Sequence, residues 1–200
     1  MLKEFSLLAV CFNLIFSSID FSYELKYGDG TGIKSGFEDG YDLEFLENFI
    51  KINSNHDDYY FYLELEYSDP PVLGYSKKDI DNIFSKFYID KQFDKTYFKL
   101  GDIYTLYGAG LGLYTFPDQD IDFDNSLRGL EIKYSLDSFE FFLVGGASEL
   151  DQRTNPAVEI PNRFIESNVF AGGVMYDTPY GYGHFLYKNQ NKYMDVNTVD

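Results

Sequence analysis

Cysteine, histidine, tryptophan and basic residues are all scarce in this sequence of 200 residues. Its one cysteine, Cys11, leaves no second thiol within the chain for a disulfide or a thiolate metal site. Sixteen Lys and Arg stand against 33 Asp and Glu, which gives a net charge of −17. A chain this acidic repels phosphate backbones, so we expect no nucleic-acid binding. The composition also excludes collagen-like, coiled-coil and disulfide-rich classes.

Long apolar runs are missing as well, apart from one near the N-terminus. Lys3 precedes an apolar stretch from Phe5 to Phe16, and small residues follow it. This stretch is shorter than the ~20 residues of a membrane-spanning helix, and its flanks are typical of a secretory signal. We therefore interpret residues 1–22 as a signal peptide and residues 23–200 as the exported domain. A buried N-terminal helix is the alternative.

What the chain has in abundance is aromatic residues, 19 Tyr and 20 Phe, which is too much apolar surface for a disordered chain. They recur with a period of two. From Tyr59 to Tyr67 every second residue is apolar, and the intervening positions carry Glu64 and Glu66; Arg128–Ser135 alternates in the same way. Such alternation predicts strands with one apolar and one wet face. Eight further stretches are predicted strands: Tyr23–Tyr27, Leu43–Ile52, Phe84–Lys91, Thr96–Leu106, Gly110–Phe116, Phe139–Ala147, Asn168–Tyr176 and Tyr182–Lys188.

The connections between these strands alternate between short and long. Gln92–Lys95 and Leu136–Ser138 are tight turns, whereas Ser68–Ile83 and Glu149–Glu166 are long. An outer-membrane β-barrel has short turns on one side and long loops on the other, and Tyr and Phe at strand ends indicate its aromatic girdles. An exported soluble β-sandwich also fits the alternation. We favour an all-β, antiparallel transmembrane β-barrel. Within the longer connection, Lys77–Phe84 is the one candidate for a helical turn or two.

Residues 98–134 carry a more specific signal. They include GDIYTLYGAGLGL at 101–113 and DNSLRGLEIKY at 124–134. This segment resembles the uncharacterised porin-like outer-membrane β-barrel proteins of diderm bacteria, in which a Gly-Asp-x-Tyr-x-x-aromatic-Gly-x-Gly-Leu strand precedes an Asp-Asn-x-Leu-x-Gly strand opening. The resemblance implies an outer-membrane barrel and names no substrate. The sequence lacks the terminal aromatic residue that barrel assembly machinery usually reads, so we expect the whole or the N-terminal portion of a barrel.

Two sets of residues are candidates for functional roles in such a barrel. A dense group of glycines indicates backbone packed closely on something inside the barrel; these are Gly101, Gly108, Gly110 and Gly112. Charged residues on the wet side of predicted strands are candidates for lining a pore; these are Glu64, Glu66, Lys99, Asp102, Glu131 and Lys133. Acidic groups outnumber basic ones four to two in this second set, which predicts a mild preference for cations.

An acidic run at Asp118, Asp120, Asp122 and Asp124 has the spacing of the first ligands of an EF-hand. Phe123 stands where the EF-hand needs Gly, and Gly129 stands where it needs a bidentate Glu. A dedicated EF-hand is therefore excluded. Weak Ca²⁺ or Mg²⁺ binding at an exposed loop and a merely solvated acidic edge remain as alternatives.

Catalytic signals are sparse. The two histidines, His56 and His184, lie in different contexts, and the sequence has no Gly-x-Ser-x-Gly elbow for a serine hydrolase. It also has no Gly-x-Gly-x-x-Gly motif before a helix and no P-loop lysine for a nucleotide. We therefore expect neither an enzyme nor a cofactor. An outer-membrane enzyme is the weakest of the three classes considered.

The sequence thus predicts a passive pore or transport channel in the outer membrane of a diderm bacterium, with unknown substrate. Its expected partners are outer-membrane lipid and the barrel assembly machinery. The alternative is a secreted or surface β-sandwich that binds a polysaccharide or another ligand through exposed Tyr.

Overall fold

The computed structural model describes residues 18–32, 41–71, 77–78, 83–118, 123–152 and 162–197. The expected all-β class is confirmed. Thirteen strands are present in the described part: β1 (Ser18–Gly32), β2 (Tyr41–His56), β3 (Tyr59–Ser68), β4 (Phe84–Phe93), β5 (Thr96–Ile103), β6 (Leu106–Tyr107), β7 (Leu113–Tyr114), β8 (Pro117–Asp118), β9 (Phe123–Asp124), β10 (Leu127–Leu136), β11 (Phe139–Gln152), β12 (Asn162–Thr178) and β13 (Gly181–Asn197).

Nine of these strands form one antiparallel sheet in the order β1-β2-β3-β4-β5-β10-β11-β12-β13. Each strand therefore pairs with the next long strand along the chain. The sheet is open, with β1 and β13 at its edges, so the closure expected of a barrel is not seen among the described strands. Because the nine strands alternate in direction, β1 and β13 run the same way, and no antiparallel ladder can join them directly.

Four two-residue turns connect strands at one end of the sheet, at residues 57–58, 94–95, 137–138 and 179–180. Asp57, Asp58, Asp94 and Asp137 have φ of 45°, 67°, 42° and 53°. Asp tolerates this left-handed conformation better than most residues, and it matches the twist of tight hairpins. The connections at the other end are longer. The short-and-long alternation expected from the sequence is thus present.

Several predicted boundaries differ from the structure. Gly110–Phe116 is not a single strand, because Gly108, Ala109 and Gly110 have φ of 65°, 53° and 81° and form a turn between β6 and β7. Residues 1–17 of the predicted signal peptide (1–22) lie outside the described residues. Its last five residues, Ser18–Ser22, form the start of β1. The helical turn predicted at Lys77–Phe84 falls largely outside the described residues.

The register gives the sheet two contrasting faces. We call the face that carries Glu64 and Glu131 the polar face, and the face that carries Leu63 and Ile132 the apolar face. The polar face has alternating charges: Glu24, Lys26, Glu47, Lys51, Glu64, Glu66, Lys86, Asp90, Lys99, Glu131 and Lys133. The apolar face extends over all nine strands: Phe21, Tyr23, Leu25, Ile50, Leu63, Leu65, Phe87, Ile89, Leu100, Leu130, Ile132, Phe141, Leu143, Phe170, Val174, Phe185 and Tyr187.

A small hydrophobic core lies on the polar side of the sheet, where the connection between β5 and β10 folds back. It contains Ile103, Tyr107, Leu113, Leu127, Phe142, Val144, Val169 and Ala171. Residues 104–126, which we call the insert, supply Tyr107 and Leu113 to this core. The apolar face contributes none of its larger side chains to it.

Three glycines on neighbouring strands lie directly opposite one another, Gly101 to Gly129 and Gly129 to Gly146. Gly101 has φ of 111°, where L side chains are strained. A Cβ on Gly129 would overlap the carbonyl oxygen of Gly145. The backbones of β5, β10 and β11 therefore approach more closely than side chains would permit, as is typical of a bend in a sheet.

Replacing Gly129 with Ala tests this close approach. We expect Gly129→Ala to lower the free energy of unfolding by about 2 kcal/mol, because the new methyl group forces the β10 and β11 backbones apart. Urea unfolding followed by tyrosine fluorescence measures the change. The matched control is Gly30→Ala in β1, where a Cβ meets nothing within 4 Å. Equal stability of both variants would contradict the close packing.

Candidate functional site

Ionisable side chains of opposite sign alternate across the first four strands of the polar face. The Lys51 Nζ lies 3.3 Å from Glu24 and 4.0 Å from Glu64, which are carried by the strands on either side. On the next strand the Lys86 Nζ lies 3.6 Å from Glu64 and 3.8 Å from Asp124 of the insert. This charge ladder pairs each carboxylate with a cation of a neighbouring element.

Glu64 is the central member of the ladder. It is 2% exposed and has a lysine on each side. The Tyr62 hydroxyl donates a further hydrogen bond to it at 2.7 Å. A sheltered carboxylate is tolerated only when it is paired and hydrogen-bonded in this way. Glu66, two residues on, contacts Lys77 and accepts hydrogen bonds from Ser85 and Ser68.

Tyrosine rings lie close to Lys99, the cation that β5 contributes to the polar face. The Lys99 Nζ lies 3.8 Å from the Tyr88 ring centroid and 6.0 Å from that of Tyr104. Tyr88 in turn stacks on Tyr62 with centroids 5.2 Å apart. Asp90 is directly opposite Lys99 in the β4–β5 ladder. The ring faces attract the ammonium group electrostatically, so Lys99 has partners although it is mostly buried.

Glu131 anchors the insert to the sheet. The Tyr107 hydroxyl donates a hydrogen bond to its Oε1 at 2.6 Å, and the Thr105 hydroxyl donates another at 3.0 Å. Lys133 lies 3.7 Å from the same oxygen. Tyr107 also stacks on Phe142 with centroids 3.7 Å apart. Burial, reinforced by the Glu131 carboxylate, raises the pKa of the Tyr107 phenol well above its usual range, so Tyr107 remains a proton donor.

The rest of the insert is ordered by its own hydrogen bonds. The Thr105 amide donates to Thr115 Oγ1 at 2.8 Å, and this hydroxyl donates to the Ile103 carbonyl at 3.0 Å. Near the far end, the Tyr104 hydroxyl donates to Asp124 at 2.7 Å. A Cβ on Gly112 would lie 2.9 Å from Leu186 of β13. The insert therefore extends over the polar face from β5 as far as β13.

Asp102 has a different position from the other pore-lining candidates. It lies an odd number of residues from Lys99, so its side chain is on the apolar side of β5. The Arg128 Nε donates to it at 2.9 Å, and the Phe87 amide donates to it at 2.7 Å. Asp102 is 2% exposed. The backbone pairing of β4 with β5 ends at Gly101. Beyond that point the Asp102 carboxylate accepts the hydrogen bond of the next β4 amide, that of Phe87.

The remaining predicted residues are dispersed. Gly108 and Gly110 form the tip turn of the β6–β7 hairpin, whereas Gly101 and Gly112 approach other atoms closely. Asp118 belongs to β8, Asp124 contacts Tyr104 and Lys86, and Asp120 and Asp122 lie outside the described residues. No three His, Cys, Asp or Glu side chains in the described ranges have an arrangement that could hold a metal ion. Weak calcium binding stays a prediction.

The two histidines lie at the short-turn end of the sheet, on different hairpins. The His56 Nε2 lies 3.3 Å from Asp57. His184 lines a cavity of about 580 Å³ together with Glu140, Met175 and Tyr182. Its ring packs edge-on against Tyr182, with centroids 5.6 Å apart.

Sequence reasoning missed the cations Lys51 and Lys86, together with Asp90. A signal for them was present. In a two-residue hairpin the residue numbers of partners have a constant sum, so the turn at 57–58 places Lys51 opposite Glu64. The turn at 94–95 places Asp90 opposite Lys99 by the same rule. The position of the insert, by contrast, had no local signal.

Among the described residues, no helix has the length and apolar character needed to cross a membrane.

Comparison with known protein families identifies the family of this chain. A family model matches residues 23–158, which is more than half of the chain. The chain belongs to the DUF6029 family. DUF6029 is described as a family of unknown function, so its description does not mention the porins that the 98–134 segment resembles. No curated protein and no solved structure matches the chain.

The Glu131 anchor of this DUF6029 protein is testable by proteolysis. Glu131→Gln weakens the hydrogen bonds from Tyr107 and Thr105, because a charged acceptor binds donors more strongly than a neutral one. We expect chymotrypsin to cleave the insert about fivefold faster, a change that corresponds to about 1 kcal/mol. The control is Glu166→Gln on β12, an exposed carboxylate that takes no part in these hydrogen bonds. Equal cleavage rates would contradict the anchoring role.

The Asp102 contacts predict a second effect. Asp102→Asn removes the charge that pairs with Arg128, and we expect it to lower the free energy of unfolding by about 2 kcal/mol. Urea unfolding measures this change, with Asp94→Asn in an exposed turn as the control. A loss no larger than that of the control would show that Asp102 is dispensable.

Proposed function

We propose that this DUF6029 chain forms the wall of an outer-membrane β-barrel that acts as a porin-like, passive pore. One observation carries the proposal: large apolar side chains are exposed and carboxylates are buried. Phe21 and Phe185 are 64% and 70% exposed, whereas Glu64 and Glu131 are 2% exposed. A soluble sheet has the opposite distribution, because water favours charged side chains and disfavours apolar ones. A barrel in lipid has its apolar residues outside and its polar residues inside.

The dimensions of the apolar face support this assignment. On β3 the apolar positions run from Tyr59 to Tyr67, and on β11 they run from Phe139 to Ala147. Each stretch covers nine residues, about 26 Å from first to last Cα at ~3.3 Å per residue. A tilted transmembrane strand needs ~9–11 residues. The apolar stretches therefore reach the lower end of the strand length that a transmembrane β-barrel uses.

Aromatic side chains border this face at the short-turn end. They are Tyr59, Phe93, Tyr134, Phe139 and Tyr176, each within three residues of a two-residue turn. Phe139 and Tyr176 are in contact, with ring centroids 4.7 Å apart. The Lys91 Nζ lies 3.5 Å from the Tyr59 ring centroid. A row of aromatics with a nearby lysine is typical of the girdle at a membrane–water interface.

Closure of the wall sets a condition on the number of strands. Nine antiparallel strands leave β1 and β13 pointing the same way. An all-antiparallel barrel therefore needs an odd number of additional strands between these edges. A parallel β1–β13 seam is the other way to close it. Either arrangement would remove two long free edges, which are otherwise sites of aggregation.

The arrangement of charges changes the expected selectivity. Without Asp102, the pore-lining candidates have three carboxylates and two lysines. The polar-face charges described above are six carboxylates and five lysines: Glu24, Glu47, Glu64, Glu66, Asp90 and Glu131 against Lys26, Lys51, Lys86, Lys99 and Lys133. The lumen would then be close to neutral, so in place of the mild cation preference predicted from the sequence we propose a weakly selective pore.

Removing one cation from the ladder tests this balance. Lys86→Gln leaves Glu64 and Asp124 with one positive neighbour fewer, so we expect cation permeability over anion permeability to rise about twofold. The reversal potential in a KCl gradient across a planar bilayer measures the ratio. Lys91→Gln, which removes the same charge from the apolar face, is the control. Equal shifts in both variants would show that Lys86 does not face the pore.

The membrane assignment itself is tested by a heat-shift gel on a carbonate-washed outer-membrane fraction. We expect the protein to stay with the membrane and to change mobility on boiling, since a folded barrel resists detergent until it is heated. A protein found in the soluble fraction with no heat shift would contradict the pore. That result would instead favour the secreted β-sandwich that binds a polysaccharide.

A further inference from the structure

A cavity of about 580 Å³ lies at the short-turn end of the sheet, lined by the β10–β11 and β12–β13 hairpins. Glu140, Met175 and His184 form one row across it on the polar face, because each is directly opposite the next in the register. Asp177 and Tyr182, also directly opposite each other, form the next row towards the turns. We call this space the His184 cavity. Its volume is typical of small-molecule sites, which occupy ~300–1,000 Å³.

The carboxylates of the His184 cavity differ from those of the charge ladder. Asp137, Glu140 and Asp177 line the cavity, and its lining contains no Lys or Arg. Within the described part of the chain, no side chain forms an ion pair with these three carboxylates or donates a hydrogen bond to them. The carboxylates Glu64 and Glu131, by contrast, each have a lysine within 4.0 Å. The cavity therefore has a negative charge that the nearby side chains do not compensate.

The lysines nearest to the cavity are held elsewhere. Lys133 on β10 lies 3.7 Å from Glu131. Lys188 follows His184 by four residues, which is ~13 Å along β13. Lys95 approaches through its backbone, since its carbonyl accepts a hydrogen bond from a β10 amide at 2.8 Å, and its side chain does not line the cavity. An anionic ligand would thus meet carboxylates alone, whereas a cationic ligand would be attracted by them.

The register sets the distance between two of these carboxylates. Asp177 lies two residues beyond Met175, the direct partner of Glu140, so the Cβ atoms of Asp177 and Glu140 are ~7 Å apart as diagonal neighbours. The Asp177 amide donates to the Ser138 carbonyl at 3.0 Å, which continues the β11–β12 pairing to the turn. No three His, Asp or Glu side chains of the described residues are arranged to hold one metal ion. Two positive charges separated by about five methylene groups match this spacing.

Apolar groups lie beside the two carboxylates. Met175 stands between Glu140 and His184 in its row, and its flexible thioether adapts to the shape of an alkyl chain. The Tyr182 ring packs edge-on against His184, with centroids 5.6 Å apart. A ligand with a methylene chain between its charged ends therefore has a surface to contact along its whole length.

We propose that the His184 cavity binds a small linear diammonium molecule. One ammonium group donates hydrogen bonds to Glu140, the other donates to Asp177, and the methylene chain packs on Met175. Both hydrogen-bonded contacts are between opposite charges, which makes them stronger than neutral ones. This inference goes beyond the proposed function, because the cavity is formed by neighbouring strands of one sheet and does not depend on closure of a barrel.

Proton NMR of the folded protein in detergent micelles provides the test. The chain has two histidines, so the His184 imidazole signal reports on the cavity and the His56 signal, from another hairpin, is the internal control. His184→Gln assigns the two signals. The probes are 1,5-diaminopentane, 1-aminopentane and 1,5-pentanediol, at constant pH and ionic strength. They share the alkyl chain and carry two, one and no positive charges.

We expect the diamine to shift the His184 signal to saturation and to leave the His56 signal unchanged. We expect it to bind about fivefold more tightly than the monoamine, the factor that a second ion pair contributes in a partly open site. The diol should cause no shift. Glu140→Gln and Asp177→Asn should each lower the diamine affinity to that of the monoamine. The matched control is Asp94→Asn, which removes the same charge from the β4–β5 turn and should leave the affinity unchanged.

Three results would overturn the site. They are no shift of the His184 signal with the diamine, an equal shift with the diol, and an equal shift with magnesium chloride at the same concentration. The last result would show an acidic edge that attracts any cation. An unchanged His56 signal shows that each variant is folded. If the protein proves soluble, the same titration without detergent tests the cavity, so the pore can fail while the site stands.

Failure of the site, in turn, leaves the heat-shift result and the pore unaffected.

Discussion

The pairing of sheltered carboxylates with lysines on neighbouring strands is the interaction on which the rest of the polar face depends. Glu64 lies between Lys51 and Lys86, so three strands must keep their register for its charge to be compensated. A slip of one residue would turn every side chain of a strand to the other face, leaving the carboxylates unpaired and the aromatics among charges. Register, charge pairing and the separation of the two faces are therefore a single constraint.

The insert uses the same principle at a second place. Glu131 is compensated partly by Lys133 and partly by the hydroxyls of Thr105 and Tyr107. One carboxylate thus joins the sheet to a connection that has little regular structure of its own. Beside it, the row Gly101, Gly129 and Gly146 lets the backbones approach closely, which favours a local bend of the sheet. Together these features position a hairpin above the polar face and leave one of its sides open.

Much of the fold followed from alternation and turn chemistry. The period of two predicted the strands around Glu64 and Glu131, and Asp-containing turns predicted two of the four short connections. Gly110–Phe116 was wrong as a strand, because alternation of Gly with Leu imitates a strand pattern while positive φ makes a turn. Asp102 was expected beside Lys99. Asp102 lies three residues from Lys99, so its side chain is on the opposite face of β5, where it pairs with Arg128. This placement depends on β5 remaining a strand as far as Ile103, and the alternation pattern does not define where a strand ends.

By itself the sequence determined the class, the two unlike faces and the alternation of short turns with long connections, since these depend on local periodicity and on which residues accept a left-handed turn. The tertiary structure decided where the insert lies, which lysine compensates which carboxylate, and which side of the hairpin remains exposed. Contacts such as Tyr107 with Glu131 and Gly112 with Leu186 join residues 24 positions or more apart in the chain. No local pattern specifies such contacts, because they form only when the strands between them have paired.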